Sequence, residues 1–250
     1  VRKAAYTALA GFYNSIGNQL DDNFDKLVKI RTKIAKTLGY NSFTELGYLR
    51  MTRNCYTPED VASFRKQVVE DIVPIVNELK RKQALRIGVT DMKFYDDNFT
   101  YKEGNPKPKG TPEDIFAAGK QMYNEMSPET GEFINFMLDN ELFDCLAKKG
   151  KANGGYCSYI PDYKSPFIFS NFNGTAGDVD VLTHEAGHAY ASYAAKDFEL
   201  VEQMNPTYES CEVHSMSMEF FAWKWLHLFD GEDESRAKFA HLESCLTFIP

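Results

Sequence analysis

The 250-residue sequence predicts a mainly α-helical fold with a small β-sheet. Three features predict it. Apolar residues recur at three- and four-residue spacing through the first part of the chain, two short aromatic and β-branched runs follow residue 154, and a helical pattern resumes beyond them.

In chain order, LDDNFDKLVKIRTKIAKTLGY places Leu20, Phe24, Leu27, Ile30, Ile34 and Leu38 on one helical face and stops at Gly39, the pattern of a bundle helix. A second helix is predicted to open at Thr57-Pro58-Glu59-Asp60, with Thr57 as cap and Pro58 in the first turn, and to run through Val61, Phe64, Val68 and Ile72 to a kink at Pro74. Residues 96 to 114, DDNFTYKEGNPKPKGTPED, read as an exposed loop before a helix starting near Thr111-Pro112-Glu113. Helical patterning continues to about Phe143. From Gly154, GGYCSYI and PFIFSNF read as two strands, closed by a turn at Asn173-Gly174. The pattern change predicts a helical part over 1–150 and a strand-plus-helix part over 151–250. There is no internal repeat.

The net charge of −8 repels a phosphate backbone, which argues against nucleic acid and an anionic membrane surface as partners. No stretch approaches the roughly 18 apolar residues of a membrane span, and VRKAAYTALAGFYNS lacks a signal-peptide pattern, so a cytoplasmic location is expected. The five cysteines, Cys55, Cys145, Cys157, Cys211 and Cys245, are scattered without a CxxC pair and are expected to be reduced. No motif specifies an oligomeric state. The start at Val1 and the stop at Ile249-Pro250 directly after a helical pattern suggest a fragment of a longer chain.

The most specific motif is His184-Glu185-Ala186-Gly187-His188, inside the helix-favouring stretch VDVLTHEAGHAYASYAAK. Residues four apart share a helix face, so the two imidazoles can reach one cation while Glu185 reaches a water beside it. A cation such as Zn2+ lowers the pKa of a coordinated water to about 7, and an adjacent carboxylate can take the proton and hand it to a leaving amine. The ordinary alternative is two core histidines that happen to be four apart.

A catalytic zinc site uses three protein ligands. A third histidine six residues after His188 is absent, because position 194 is Ala194. Glu209 stands 21 residues beyond His188, but position 213 is Val213 where the thermolysin-like pattern has Asp. Glu212, 24 residues beyond His188, remains the candidate. It lies in PTYESCEVHSMSMEFFAWKWLHLF, read as one long helix capped by Thr207. Glu219, two turns on, shares the face of Glu212 and is either an orienting partner for a ligating histidine or an ordinary carboxylate. His214, two residues from Glu212, points to a different face and reads as structural. His227 and His241 have no partner at ligand spacing, and Phe220, Phe221, Trp223 and Trp225 read as core packing. Cys157 and Cys211 lie near the motif, which is weak ground for a zinc thiolate.

The stretch GGYCSYIPDYKSPFIFSNFNGTAGDVDVLTHEAGHAYASY together with ESCEVHSMSMEFFAW resembles the metal-binding region of the thimet oligopeptidase and oligoendopeptidase F family of zinc peptidases. Weaker likeness extends through RTKIAKTLGYNSFTELGYLR and FYDDNFTYKEG, so it covers most of the chain. The resemblance implies a zincin-like (neurolysin-like) multihelical metallopeptidase fold, with the helical part forming a channel wall that admits short peptides. It implies one Zn2+ held by His184, His188 and Glu212, with Glu185 as general base. It also implies that a strand edge beside the zinc helix pairs with substrate. FIFSNF is the matching segment, making Ser170 and Asn171 substrate-binding candidates, together with Tyr156.

Members of that family carry, beyond the glutamate ligand, a Gly/His/Tyr-rich segment whose His and Tyr side chains steady the oxyanion. The ending GEDESRAKFAHLESCLTFIP does not supply it. Loss of such donors typically costs about 10²–10³ in rate, so this chain alone is expected to bind zinc and hydrolyse poorly. The expected function is zinc endopeptidase action on short oligopeptides. The alternatives are a catalytically impaired, metal-stabilised binding fragment and a metallocarboxypeptidase.

Overall fold

A computed structural model describes residues 1–250, the side chain of Val201 apart. Helices dominate, with one small sheet, as the residue patterns predict. The chain forms two compact units, one of Val1–Gly104 with Leu246–Pro250 and one of Asn105–Cys245. The pattern change near residue 150 falls inside the second unit, because the helices preceding it pack on the same core as the strands that follow.

The first unit contains α1 (Arg2–Ser15), α2 (Gly17–Thr37), α3 (Phe43–Arg50), α4 (Pro58–Gln67) and α5 (Val73–Ile87). Thr57 caps α4 as predicted: its Oγ1 accepts from the Asp60 N–H at 3.3 Å, and Asp60 Oδ2 accepts from the Thr57 N–H at 2.8 Å. Just ahead of Pro74, where a kink is expected, the helix widens into a π-helical turn, Val68–Ile72, between α4 and α5. Proline has no N–H for the helix ladder, and the wider turn precedes it. α2 forms where the spacing places it, but its apolar face is not a core: Phe24 is 68% and Leu38 60% exposed, and Ala35 is its one buried residue. Periodicity specifies the helix and its stripe, and within this unit no element covers that stripe.

The second unit holds α6 (Pro112–Met126), α7 (Pro128–Asp139), β1 (Phe143–Leu146), β2 (Tyr156–Ile160), β3 (Ser165–Phe172), α8 (Gly177–Asp180), α9 (Ala186–Ala194), α10 (Val201–Met204), α11 (Cys211–Phe221) and α12 (Leu226–Asp230), with α13 (Glu234–Phe248) following. α6 and α7 begin with the same device as α4, Thr111-Pro112 closed by Asp114 and Ser127-Pro128 closed by Thr130. The sheet has the order β1-β3-β2, with β1 parallel and β2 antiparallel to the central β3. β1 lies where the sequence pattern predicts the end of a helix. Four residues are too few to show a period of two, and Glu141, at φ 53°, turns the chain out of α7 just before it.

β3 alternates, turning Ile168, Ser170 and Phe172 inward. It is therefore an internal strand. The expectation that FIFSNF offers a free edge is corrected: β1 and β2 occupy its two sides, Ser170 is buried, and the Asn171 amide donates to the carbonyls of Ala152 and Gly154. The sheet's outer strand on that side is β2, on which Tyr156 is 51% exposed and stacks on Phe169.

The core of the unit joins Met122 and Tyr123 of α6, Phe133, Ile134 and Met137 of α7, Ile168 of β3, and Leu182, Ala186 and Ala189. At Asn173-Gly174 the predicted turn forms, Gly174 taking φ +77°, and the carboxylate of Asp178 accepts from both backbone N–H groups at 3.0 and 2.8 Å. Between α8 and α9 the helix widens into a π turn, Val181–Glu185. A π turn leaves carbonyls without their usual helical partners. Here the fully buried Tyr123 hydroxyl donates to the Leu182 carbonyl at 2.7 Å, and Thr183 Oγ1 donates to the Val179 carbonyl at 3.2 Å.

Tyr123→Phe removes the hydroxyl while keeping the ring, so the buried hydrogen bond to the Leu182 carbonyl is lost at an expected cost of about 1–3 kcal/mol. Urea unfolding monitored by circular dichroism reads this as a lower midpoint with an unchanged slope. An unchanged midpoint contradicts it.

Candidate metal centre

The π turn carries His184 and Glu185 and the first full turn of α9 carries His188, so the sequence motif sits across the junction of a widened and a regular helix. The two imidazole rings lie with centroids 5.0 Å apart and planes at 83°. α11 crosses α9 and brings Glu212 to them: its Oε2 is 3.1 Å from His184 Nε2 and 3.3 Å from His188 Nε2. Two ligand bonds of about 2.0–2.1 Å at a tetrahedral angle place donor atoms about 3.3 Å apart, so the carboxylate oxygen stands from each imidazole nitrogen at the separation of a shared ion. Glu209 is not in this set, whose donors all lie within 4.8 Å of one another.

A close approach between helices makes this meeting possible. A Cβ at Gly187 would lie 2.7 Å from Ser215 Cα, 3.0 Å from the His214 carbonyl oxygen and 3.1 Å from Met218 Cβ. Backbone meets backbone there, and glycine is required by contact rather than by dihedral angle. Ser215, fully buried at the crossing, donates from Oγ to Glu212 Oε2 at 2.7 Å and so fixes the carboxylate that faces the histidines.

Each histidine is held from behind. His184 Nδ1 lies 2.5 Å from Glu219 Oε1, where an orienting partner, one of the two readings of this residue, would stand. Glu219 is half-buried; burial acts to raise its pKa, but hydrogen bonds from His184 and His241 outweigh it and bring the carboxyl down to about 2. The hydrogen bond to Glu219 raises the His184 pKa, and burial lowers that of His188. His188 Nδ1 is 3.2 Å from His214 Nε2. His214, read as pointing to another face, therefore stands directly behind the second ligand candidate. The helix crossing sets this, not the spacing along α11. His227, by contrast, is exposed, with its Nδ1 3.2 Å from the Lys224 carbonyl oxygen.

Glu185 is partly buried, and burial pushes its carboxyl above the usual range, opposed by His184 and by the backbone N–H of Cys157 on β2. That N–H links the outer strand to the candidate base. Burial pushes the Cys157 thiol up to about 12, and its sulfur is not among the donors gathered at His184, His188 and Glu212. The Cys211 thiol donates instead to the Tyr208 carbonyl at 3.0 Å. The single long helix expected from Thr207 is broken: α11 begins at Cys211, passes through a 3₁₀ turn at Ala222–Trp225 and gives way to α12. Of the aromatic cluster, Trp225 is core, whereas Phe220 and Phe221 are exposed.

Gly187→Ala is expected to force α9 and α11 apart, with a loss of about 1–3 kcal/mol in stability, and to move Glu212 away from both histidines. A crystal structure of the variant in which Glu212 Oε2 stays within hydrogen-bonding distance of both Nε2 atoms contradicts this.

The Peptidase family M3 model matches residues 1–247. Among curated proteins, the chain is 26% identical over 241 residues to the oligopeptidase PepF of Bacillus subtilis (strain 168), covering 94% of this chain and 34% of that protein. It is 23% identical over 197 residues to the chromosomal oligoendopeptidase F of Lactococcus lactis subsp. cremoris, covering 77% and 31%. The chain thus spans about a third of the curated relatives it matches. Among solved structures, a Bacillus anthracis str. Ames protein assigned as an oligoendopeptidase F superposes with TM-score 0.95 at 57% identity, over 98% of this chain and 45% of that one. A PZ peptidase A with a bound inhibitor superposes with TM-score 0.96 at 53% identity, over 99% and 44%. A family match over nearly the whole length, joined to histidines and a glutamate that converge inside it, makes this chain a member of peptidase family M3.

Proposed function

We propose that this chain carries the metal centre of an endopeptidase that cleaves short peptides, with His184, His188 and Glu212 holding one Zn2+ and Glu185 acting as general base. The observation that carries the reading is the approach of Glu212 Oε2 to both Nε2 atoms, at 3.1 and 3.3 Å. Two imidazoles and one carboxylate suit zinc, and family membership supports peptide hydrolysis. When bound, the ion supplies Lewis-acid chemistry, polarising a carbonyl and making water acidic.

The chain's own groups do the rest. Glu219 keeps the His184 proton on Nδ1, so that Nε2 presents its lone pair. Glu185 takes a proton from the attacking water at a carboxylate oxygen and delivers it to the leaving nitrogen; its upward pKa shift brings it closer to the pH at which it must do both. β2 has β3 on one side and no strand on the other among the described residues, and its Cys157 N–H faces Glu185. A peptide adding to that edge would run past the candidate base, so Tyr156 stays in the substrate proposal while Ser170 and Asn171 leave it. No helix among the described residues is long and apolar enough to cross a membrane, and all five cysteines are free, which supports a cytoplasmic location.

A quenched oligopeptide assay with and without a chelator tests the reading: chelator-sensitive cleavage of an end-blocked peptide supports a metalloendopeptidase, while cleavage only of peptides with a free carboxylate points to a carboxypeptidase. Glu185→Gln should retain Zn2+ and lose about 10²–10⁴-fold in rate. Survival of more than about a tenth of the rate would remove Glu185 from the role of base. Glu212→Ala should release Zn2+ on dialysis, and an unchanged zinc content by atomic absorption would contradict its assignment as a ligand.

A further inference from the structure

Behind the candidate ligands, Glu219 lies between two imidazoles. Its Oε1 faces His184 Nδ1 at 2.5 Å, and its Oε2 makes a short hydrogen bond with Nε2 of His241 on α13. The His241 ring packs edge-on against Phe220 and Trp223, with centroids 5.0 and 5.7 Å away, and Trp223 Nε1 stands 3.0 Å from its Nδ1. Cys245, one turn further along α13, places Sγ 3.6 Å from His241 Nε2.

The indole fixes the direction of every proton in this row. Trp Nε1–H can only donate, so His241 Nδ1 must accept, and the ring proton sits on Nε2, where it donates to Glu219. An ionised carboxylate only accepts, so the second imidazole, His184, also donates to it, from Nδ1. The Nε2 lone pair of His184 is then left facing Glu212 and His188.

The same logic works against a second cation site at Glu219, His241 and Cys245, although their donor atoms lie within 4.8 Å of one another. An ion on His241 Nε2 would need that nitrogen stripped of its proton while Nδ1 accepts from the indole, leaving an imidazolate. The contact between Glu219 and His241 also has no room for an ion between them.

We propose that His241, oriented by Trp223, is a positioning residue of the metal centre: it anchors Glu219 so that the carboxylate's other oxygen sets the tautomer and ring angle of His184. The proposal rests on the reading of His184, His188 and Glu212 as the ligands of an ion. Burial opposes a charge on His241, Cys245 and Glu219 beside it favour one, and the indole N–H aimed at Nδ1 decides for the neutral ring. Only the neutral ring, with its proton on Nε2, can accept the indole N–H at Nδ1; an imidazolium would set two N–H groups against each other. Outer partners of ligating histidines are typically worth about 10–100-fold in metal affinity, and His241, one step further out, is expected near the lower end.

The test uses the full chain and two measurements: Zn2+ affinity by competition with a chromophoric chelator, and histidine tautomers by long-range 1H–15N NMR of the metal-free chain. The expected spectrum has His241 protonated on Nε2 and His184 on Nδ1. His241→Ala should weaken Zn2+ binding about tenfold and let the His184 tautomer redistribute. His241→Gln, whose amide can donate from near the Nε2 position, should restore most of both. Trp223→Phe keeps an aromatic neighbour and frees Nδ1; it should mix the His241 tautomers, and it reads the same link if His241→Ala does not fold. A proton on His241 Nδ1, or Zn2+ affinity equal in parent and His241→Ala, overturns the proposal, as does a second Zn2+ equivalent that His241→Ala abolishes. A parent chain that takes up no Zn2+ removes the metal reading and this role together. A parent that binds one equivalent, with His241→Ala its equal, removes the role alone.

Discussion

α9 and α11 cross with their backbones in contact at Gly187 and Ser215, and this contact places a carboxylate from one helix against two imidazoles of the other. Two side chains four residues apart on one helix can share a cation, but they leave its remaining coordination to whatever the fold supplies. Here the fold brings the Glu212 carboxylate to that position, which the missing side chain at residue 187 allows. The buried Ser215 lies under the same crossing and holds the carboxylate in place, so packing and ligand geometry are decided by the same few atoms.

The parts of the site carried by local sequence were legible. The His-Glu-x-x-His spacing needs only a helix to be meaningful, and the helix starts at Thr57 and Thr111 are written in four residues each, cap, proline and closing acceptor included, whereas the start at Ser127 falls inside a pattern that reads as continuous helix to about Phe143. Glu212 follows from elimination and from resemblance, and its Oε2 lies 3.1 and 3.3 Å from the two Nε2 atoms.

What stayed hidden depends on contacts far apart in sequence. His214 is two residues from Glu212, and helical spacing alone sends it elsewhere; α9 is what gives it a neighbour. His241 is 22 residues from Glu219 and bonds to it, a link no periodicity can announce. β1 is too short to show a period, and its presence turns FIFSNF from an edge into a centre. The apolar stripe of α2 reads as that of a bundle helix and stands largely exposed, since amphipathicity specifies a face and not what lies opposite it.

The π turn at Val181–Glu185 takes one residue more than an α-helical turn and absorbs it locally between α8 and α9. His184 and Glu185 sit inside the widened turn, His188 follows in α9, and Gly177–Asp180 ahead of it packs against β3. Tyr123 of α6 bonds to the Leu182 carbonyl of that turn, so a phenol from another helix braces the irregular stretch that carries His184.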